Sequence, residues 1–210
     1  MSFESISSCK DVEGIHDFGQ SMFLNLIDEN NQGICRGVST AWLKAKKNDK
    51  DYLQEILHPT EKTGLLHTQK TALKASSFQT NYIKAHTGDS ADSPSNETIA
   101  ELKKAGLGTV GYSKAETYQS FCNSLHIKSA VLTSSCRYFI LSIKGNLGGH
   151  SVAFHRPWAW IGKNNYCHFF DPNFGKFKLN GETGIQNALG AVATAYNNGL
   201  STGYRLWGFN

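Results

Sequence analysis

At 210 residues the chain is long enough for one domain with a substantial core and short for two. A hydrophobic content of 40% excludes a disordered chain, and a formal charge of +4 spread over scattered lysines argues against nucleic acid as a partner. Its five cysteines form no C-x-x-C pair, so neither a zinc site nor a redox motif is indicated, a reducing compartment suits them, and no metal or cofactor is expected.

The N-terminus, Met-Ser-Phe-Glu-Ser-Ile-Ser-Ser-Cys, lacks a basic region followed by an apolar one, so no cleavable signal peptide is expected. No stretch is apolar for long enough to predict an integral membrane segment, and export by a dedicated, non-classical machine stays open. Residues 1–29 read as a polar lead-in segment with one apolar cluster at Met22, Phe23, Leu24, Leu26 and Ile27, a short helix by pattern. From residue 30 to 210 nothing divides the chain, and a single domain is predicted there.

That domain opens on Asn30-Asn31-Gln32-Gly33-Ile34-Cys35. Val38, Ala41, Trp42 and Ala45 then recur at intervals of three and four, one apolar face of a helix that Asn48 or Asp49 ends. Cys35 falls in its first turn, where unpaired N–H groups and the helix dipole favour a thiolate. A helix from Asp51 to His58 stopped by Pro59, a weakly helical run at 64–84, a polar loop at 87–96, and a short helix through Ile99, Leu102 and Ala105 closed by Gly106 follow. Ser113 with Glu116 has the spacing of a capping box and predicts a further helix through Leu125. Beyond it the pattern turns to strands at Ala130–Thr133, Tyr138–Ile143, Ser151–Arg156, Tyr166–Phe170, Lys176–Leu179 and Tyr204–Phe209, with one helix, Ile185–Tyr196, among them. Helices first and a mostly antiparallel sheet afterwards make an α+β fold.

His150 opens one of these strands and Asp171 closes the next. An antiparallel hairpin in its simplest register, 150 beside 171, sets the two side chains on one face within hydrogen-bonding reach. A carboxylate placed so fixes an imidazole's tautomer and stabilises its cation, and Cys35 supplies the nucleophile such a pair activates. Cys35, His150 and Asp171 are therefore the candidate catalytic residues. Asn173, whose amide oxygen could accept the same imidazole bond, is the rival to Asp171. The Cys35 backbone N–H is a natural oxyanion donor, and Asn30, Asn31 or Gln32 could supply a second. His155 and His168 alternate to the opposite face and read as packed or surface histidines. Cys122, Cys136 and Cys167 lie in apolar runs and read as core, and Cys9 as part of a mobile tail.

The segments Gly33-Ile34-Cys35-Arg36-Gly37-Val38-Ser39 with Trp42-Leu43, Gly149-His150, and Phe170-Asp171-Pro172-Asn173-Phe174-Gly175 resemble those of the YopT/AvrPphB-like cysteine proteases, secreted effectors of bacterial pathogens and symbionts. The order Cys, His, Asp and the 115 residues from Cys35 to His150 fit that family, the Asp-Pro-Asn-aromatic-Gly element being its most specific part. The resemblance implies a papain-like fold, a triad of Cys35, His150 and Asp171, and Asn30 as the best match to the oxyanion-hole side chain. It also implies a monomeric thiol endopeptidase cleaving a host protein in the cytoplasm of a target cell. Relatives cut a lipid-modified small GTPase beside a basic tail, or a kinase; a chain of charge +4 gains nothing from a basic tail, so neither substrate is favoured. A deamidase, transglutaminase-like enzyme or amidase using the same triad is the alternative, because the acyl-enzyme chemistry is shared.

Overall fold

The structure is a computed structural model that describes residues 2–21, 34–53, 70, 72–81, 96–117, 121–145, 148–158, 165–196 and 203–210. Its helices are α1 (Phe3–Ser7), α2 (Cys35–Lys47), α3 (72–81), α4 (Asn96–Lys104), α5 (Leu125–Thr133) and α6 (Gly181–Ala195). Its strands are β1 (Val12–His16), β2 (Val110–Thr117), β3 (Tyr138–Gly145), β4 (Gly148–His155), β5 (Tyr166–Asp171), β6 (Gly175–Asn180) and β7 (Gly203–Phe209). All seven strands join one antiparallel sheet in the order β1-β6-β5-β4-β3-β7-β2.

Alternation along the central strands splits the core in two. Phe139, Leu141, Val152, Phe154, Phe169 and Leu206 face one layer, with Ile127 and Val131 of α5 and Ile185, Leu189 and Val192 of α6. Ile140, Ala153, Phe170, Trp207 and Phe209 face the other, against Val38, Ala41 and Trp42 of α2 and Ala72 and Ala75 of α3. The sheet is thus covered on both faces, which is why β7 is buried along its whole length and β3 along most of it rather than in alternation. Trp42 is fully buried and stacks on Phe170 with ring centroids 5.2 Å apart. Truncating a tryptophan so placed costs about 3–5 kcal/mol. Helices α2 and α3 cross at Gly37, where a Cβ would lie 1.8 Å from the Ala75 carbonyl oxygen, so no larger residue fits there.

Three expectations from sequence fail here. Ser113 and Glu116 do not cap a helix: both lie in β2, which pairs with β7 at the sheet's edge, Ser113 opposite Trp207 and Glu116 opposite Tyr204. Sheet pairing outweighs a spacing that only suggests a cap. Residues 130–133 are not a strand but the second half of α5, whose N-cap Ser124 accepts from the Ile127 N–H at 3.3 Å. Their apolar content reflects burial of Ala130, Val131 and Leu132 on the helix rather than extension. Cys9 is not in a mobile tail, since it is half-buried against the core between α1 and β1. The apolar cluster at 22–27 and most of the 51–58 helix lie outside the described residues.

Candidate active site

The nucleophile candidate sits where the sequence puts it. Cys35 is the first residue of α2, after Ile34 at the N-cap position, and only 9% of its surface is exposed. No side chain caps this helix from Ile34 itself. Two glutamine oxygens instead accept from its first N–H groups: Gln20 Oε1 from Ile34 at 3.1 Å and Gln79 Oε1 from Gly37 at 3.1 Å. The helix is fixed to β4, where Ser39 Oγ donates to the Ser151 carbonyl at 3.0 Å, and to β3, where Arg36 Nη1 donates to Ser142 Oγ at 2.8 Å. Arg36 packs over the Trp207 ring, away from the thiol's partner.

That partner is His150, near the start of β4. Its Nε2 lies 3.0 Å from Asp171 Oδ2, with both side chains buried. The Cys35 thiol is close enough to the imidazole and to the Ser151 backbone for both to favour its thiolate. Asp171 is fully buried, and its second oxygen, Oδ1, accepts from the Asn173 N–H at 2.8 Å. Asn173 therefore does not compete for the imidazole: its backbone holds the carboxylate, while its side chain meets Gln20 and Tyr196.

The strand register differs from the simplest one. Ala153 pairs with Phe170 and His155 with His168, a shift of two residues from 150 beside 171. Because side chains alternate with period two, the shift leaves His150 and Asp171 on one face and makes their contact diagonal. His155 and His168 point to the other face as expected, their rings 5.9 Å apart.

Burial opposes charge at all these groups, and the partners decide the outcome. Burial pushes the His150 imidazole down, but the Asp171 carboxylate and the Cys35 thiolate together carry it up to about 10. Burial likewise pushes the Cys35 thiol up, yet the bond and charge from His150 leave it below an ordinary thiol. Both shifts favour a thiolate–imidazolium pair near neutral pH. Burial raises Cys136 and Cys167 instead, and no histidine offsets it at either thiol.

Two residues of the site, Gln20 and Tyr196, have no local signature in the sequence, and a third, Gly175, gains its physical reason only from the structure. Gln20 Oε1 accepts from Ile34, and Gln20 Nε2 donates to Asn173 Oδ1 at 2.7 Å. Tyr196, at the end of α6, lays its ring against His150 with centroids 4.9 Å apart. Gly175 has φ of +112° and sits so close to the N-terminal segment that a Cβ would lie 2.1 Å from the His16 carbonyl oxygen. That accounts for the glycine of the Asp-Pro-Asn-aromatic-Gly element in purely steric terms. The oxyanion candidates Asn30, Asn31 and Gln32 lie outside the described residues.

Helices on one face bear a thiol, and the central hairpin of an antiparallel sheet bears the imidazole and carboxylate; an architecture of this kind is that of the papain-like cysteine proteases. The crystal structure of the Pseudomonas avirulence protein AvrPphB shares the fold with a TM-score of 0.58 and 21% identity, over 86% of this chain and 93% of that one. A cysteine protease-like domain of the Photorhabdus asymbiotica toxin PaTox aligns over 98% of this chain and 56% of that one, at 11% identity and a TM-score of 0.48. No curated protein matches the sequence. The chain belongs to peptidase family C58, whose profile, described as Yersinia/Haemophilus virulence surface antigen, matches residues 13–202. It is a cysteine peptidase of a family of bacterial virulence proteins. Among the described residues no helix is long and apolar enough to cross a membrane.

Proposed function

We propose that the protein is a thiol endopeptidase of the YopT/AvrPphB-like kind that cleaves a host protein through a Cys35–His150–Asp171 triad. The observation that carries this reading is the position of His150, between a thiol at a helix start and a fully buried carboxylate. In the reaction the Cys35 thiolate attacks the scissile carbonyl carbon, and the oxyanion is held by the Cys35 N–H and by the side chain of Asn30. The His150 imidazolium then gives its Nδ1 proton to the leaving amine as the C–N bond breaks, leaving a thioester. Water attacks the thioester while His150 takes its proton, and the acid leaves as the thiolate is restored. Asp171 keeps Nε2 bonded and the ring in place throughout.

The substrate is met in the cytoplasm of a target cell after export by a non-classical route, and its cleavage site lies in an extended segment able to enter a site this enclosed. The test is mass-spectrometric mapping of new N-termini in host lysate treated with the intact protein or with Cys35→Ala. New termini that depend on Cys35 are expected. Glutamine deamidation dependent on Cys35 without any new terminus would assign the deamidase alternative, and no Cys35-dependent change of either kind would overturn the reading.

A further inference from the structure

The hydrogen bonds around Asn173 form one continuous chain across the site, and its polarity is set from one end. Ile34 presents a backbone N–H, which can only donate, so the atom of Gln20 facing it is Oε1. Gln20 then offers Nε2 to Asn173 Oδ1, and Asn173 in turn offers Nδ2 to the Tyr196 hydroxyl. The Tyr196 oxygen lies 3.5 Å from His150 Nδ1 and 3.4 Å from Nε2, equally close to both. At that distance a hydrogen bond to either nitrogen is long, and the hydroxyl rests against the ring, where a partly negative oxygen suits a cation whose Nε2–H is already directed at Asp171.

Four segments meet in this chain: the stretch after β1, the residue preceding the nucleophile, the turn after β5 and the end of α6. They are tied a second time through the backbone, since Gln20 N donates to the Pro172 carbonyl at 2.6 Å and Asn173 N to Asp171 Oδ1 at 2.8 Å. The first tie means that a substitution of the Gln20 side chain leaves its segment docked on the turn. Phe18, buried against Phe170 with centroids 5.6 Å apart, anchors the same segment independently.

We infer that Gln20, Asn173 and Tyr196 form a brace that sets the separation between the start of α2 and the His150–Asp171 pair, with Gln20 and Tyr196 as positioning residues for the Cys35–His150 contact. The inference rests on the proposed role of Cys35 and His150. Attraction between a thiolate and an imidazolium falls off with separation and is strong only where water is excluded. Two side-chain amides acting as a fixed spacer therefore govern how much thiolate is present before any substrate arrives. Removing the Gln20 amide leaves the Ile34 N–H and Asn173 Oδ1 without it, and both ends of the spacer are freed.

The test needs no substrate. The rate of Cys35 alkylation by iodoacetamide is followed against pH, by mass spectrometry of the Cys35 peptide, in the wild type, Gln20→Leu and Tyr196→Phe, with the fold of each checked by near-UV circular dichroism. The wild type is expected to titrate well below an ordinary thiol. Gln20→Leu should move the midpoint up by about one pH unit, lowering the rate at pH 6 about tenfold. Tyr196→Phe keeps the ring against His150 and should move it the same way by a smaller amount, about threefold in rate. A folded Gln20→Leu with an unmoved midpoint overturns the brace, as does a loss of rate uniform across pH, which marks a merely structural role. Should Gln20→Leu not fold, an unmoved midpoint in Tyr196→Phe overturns it instead. A wild-type midpoint at the ordinary thiol value overturns the role of Cys35 on which the brace depends, so the two failures are told apart.

Discussion

The β4–β5 hairpin carries two histidine contacts, one on each face, and they have opposite electrostatic fates. On one face His150 meets the buried Asp171 carboxylate, which, with the Cys35 thiolate, lifts it against the effect of burial to about 10. On the other, His155 stacks on Tyr138 with centroids 5.1 Å apart and lies beside His168. Burial, then His168, Arg137, Lys46 and Lys176, lower His155 to about 3. Burial, then Lys176, Lys46 and Lys178, outweigh Asp51 and lower His168 to about 4. The same residue type, on adjacent strands, is held as a cation on one side of the sheet and as a neutral ring on the other. What separates them is one carboxylate directed at the ring against several cations around it.

The largest expected effect breaks the contrast at its source. Asp171→Asn removes the charge that makes His150 unlike His155 while keeping the residue's shape. Turnover, read on the cleaved host protein, should fall more than tenfold and by as much as about four orders of magnitude, with the melting temperature retained. The pH profile should change as well. His150 holds its proton until about pH 10, so the alkaline limb lies there in the wild type. In the variant it moves down toward the ordinary histidine value. Asn173→Ala, which spares the carboxylate, should keep the alkaline limb high; a crippled Asn173→Ala beside an unharmed Asp171→Asn would hand the orienting role to the amide.

A smaller effect belongs to the other face. An unfolded chain protonates its histidines near pH 6.5, whereas His155 and His168 stay neutral in the fold until about 3 and 4. The unfolded state binds more protons over that interval, so their contribution to stability is complete above pH 6.5 and is lost as pH falls. Denaturant titrations at pH 7 and pH 4 should show the loss, and His155→Phe, which keeps a ring on Tyr138, should reduce it by on the order of 2 kcal/mol. A variant with the wild-type pH dependence would show that His155 is not held neutral by the fold.

The smallest effect, about tenfold, compares the two faces by their influence on the thiol. His150→Phe should slow iodoacetamide labelling of Cys35 at pH 6.5 by about that factor, since a low thiol pKa speeds reaction only in part. His155→Phe should leave the rate unchanged. In the wild type Cys35 should label before Cys136 and Cys167, whose thiols burial raises. Earlier labelling of either would displace Cys35 from its role.

The sequence showed the elements whose pattern is local and hid those made by partners far along the chain. The α2 face through Val38, Ala41 and Trp42 and five of the seven strands follow from periodicity. Val12–His16 is short and partly polar, and becomes β1 only because β6 lies beside it, Val12 opposite Leu179. Ser113 and Glu116 misled because a four-residue spacing carries less weight than pairing with β7. In the candidate site, the placement of Cys35 at a helix start, His150 near a strand start and Asp171 at a strand end was legible, and a register off by two residues still set the latter two on one face. Gln20 was not legible: it precedes Ile34 by 14 residues, outside any motif, and its place depends on the turn at Pro172.

The sheet order has a consequence for synthesis. Strand β1 can find its partner only after β6, more than 150 residues further along the chain, has emerged from the ribosome. Strand β7 lies between β3 and β2, so β2 can join the sheet only after residues 203–209 have been made. Gln20 reaches the nucleophile segment only when the turn at Pro172 is in place to receive it. A growing chain therefore carries its thiol without an assembled site around it from the synthesis of Cys35 until that of Asp171 and Tyr196. Whatever proteolytic power the molecule has is withheld during synthesis until Asp171, Asn173 and Tyr196 have been made.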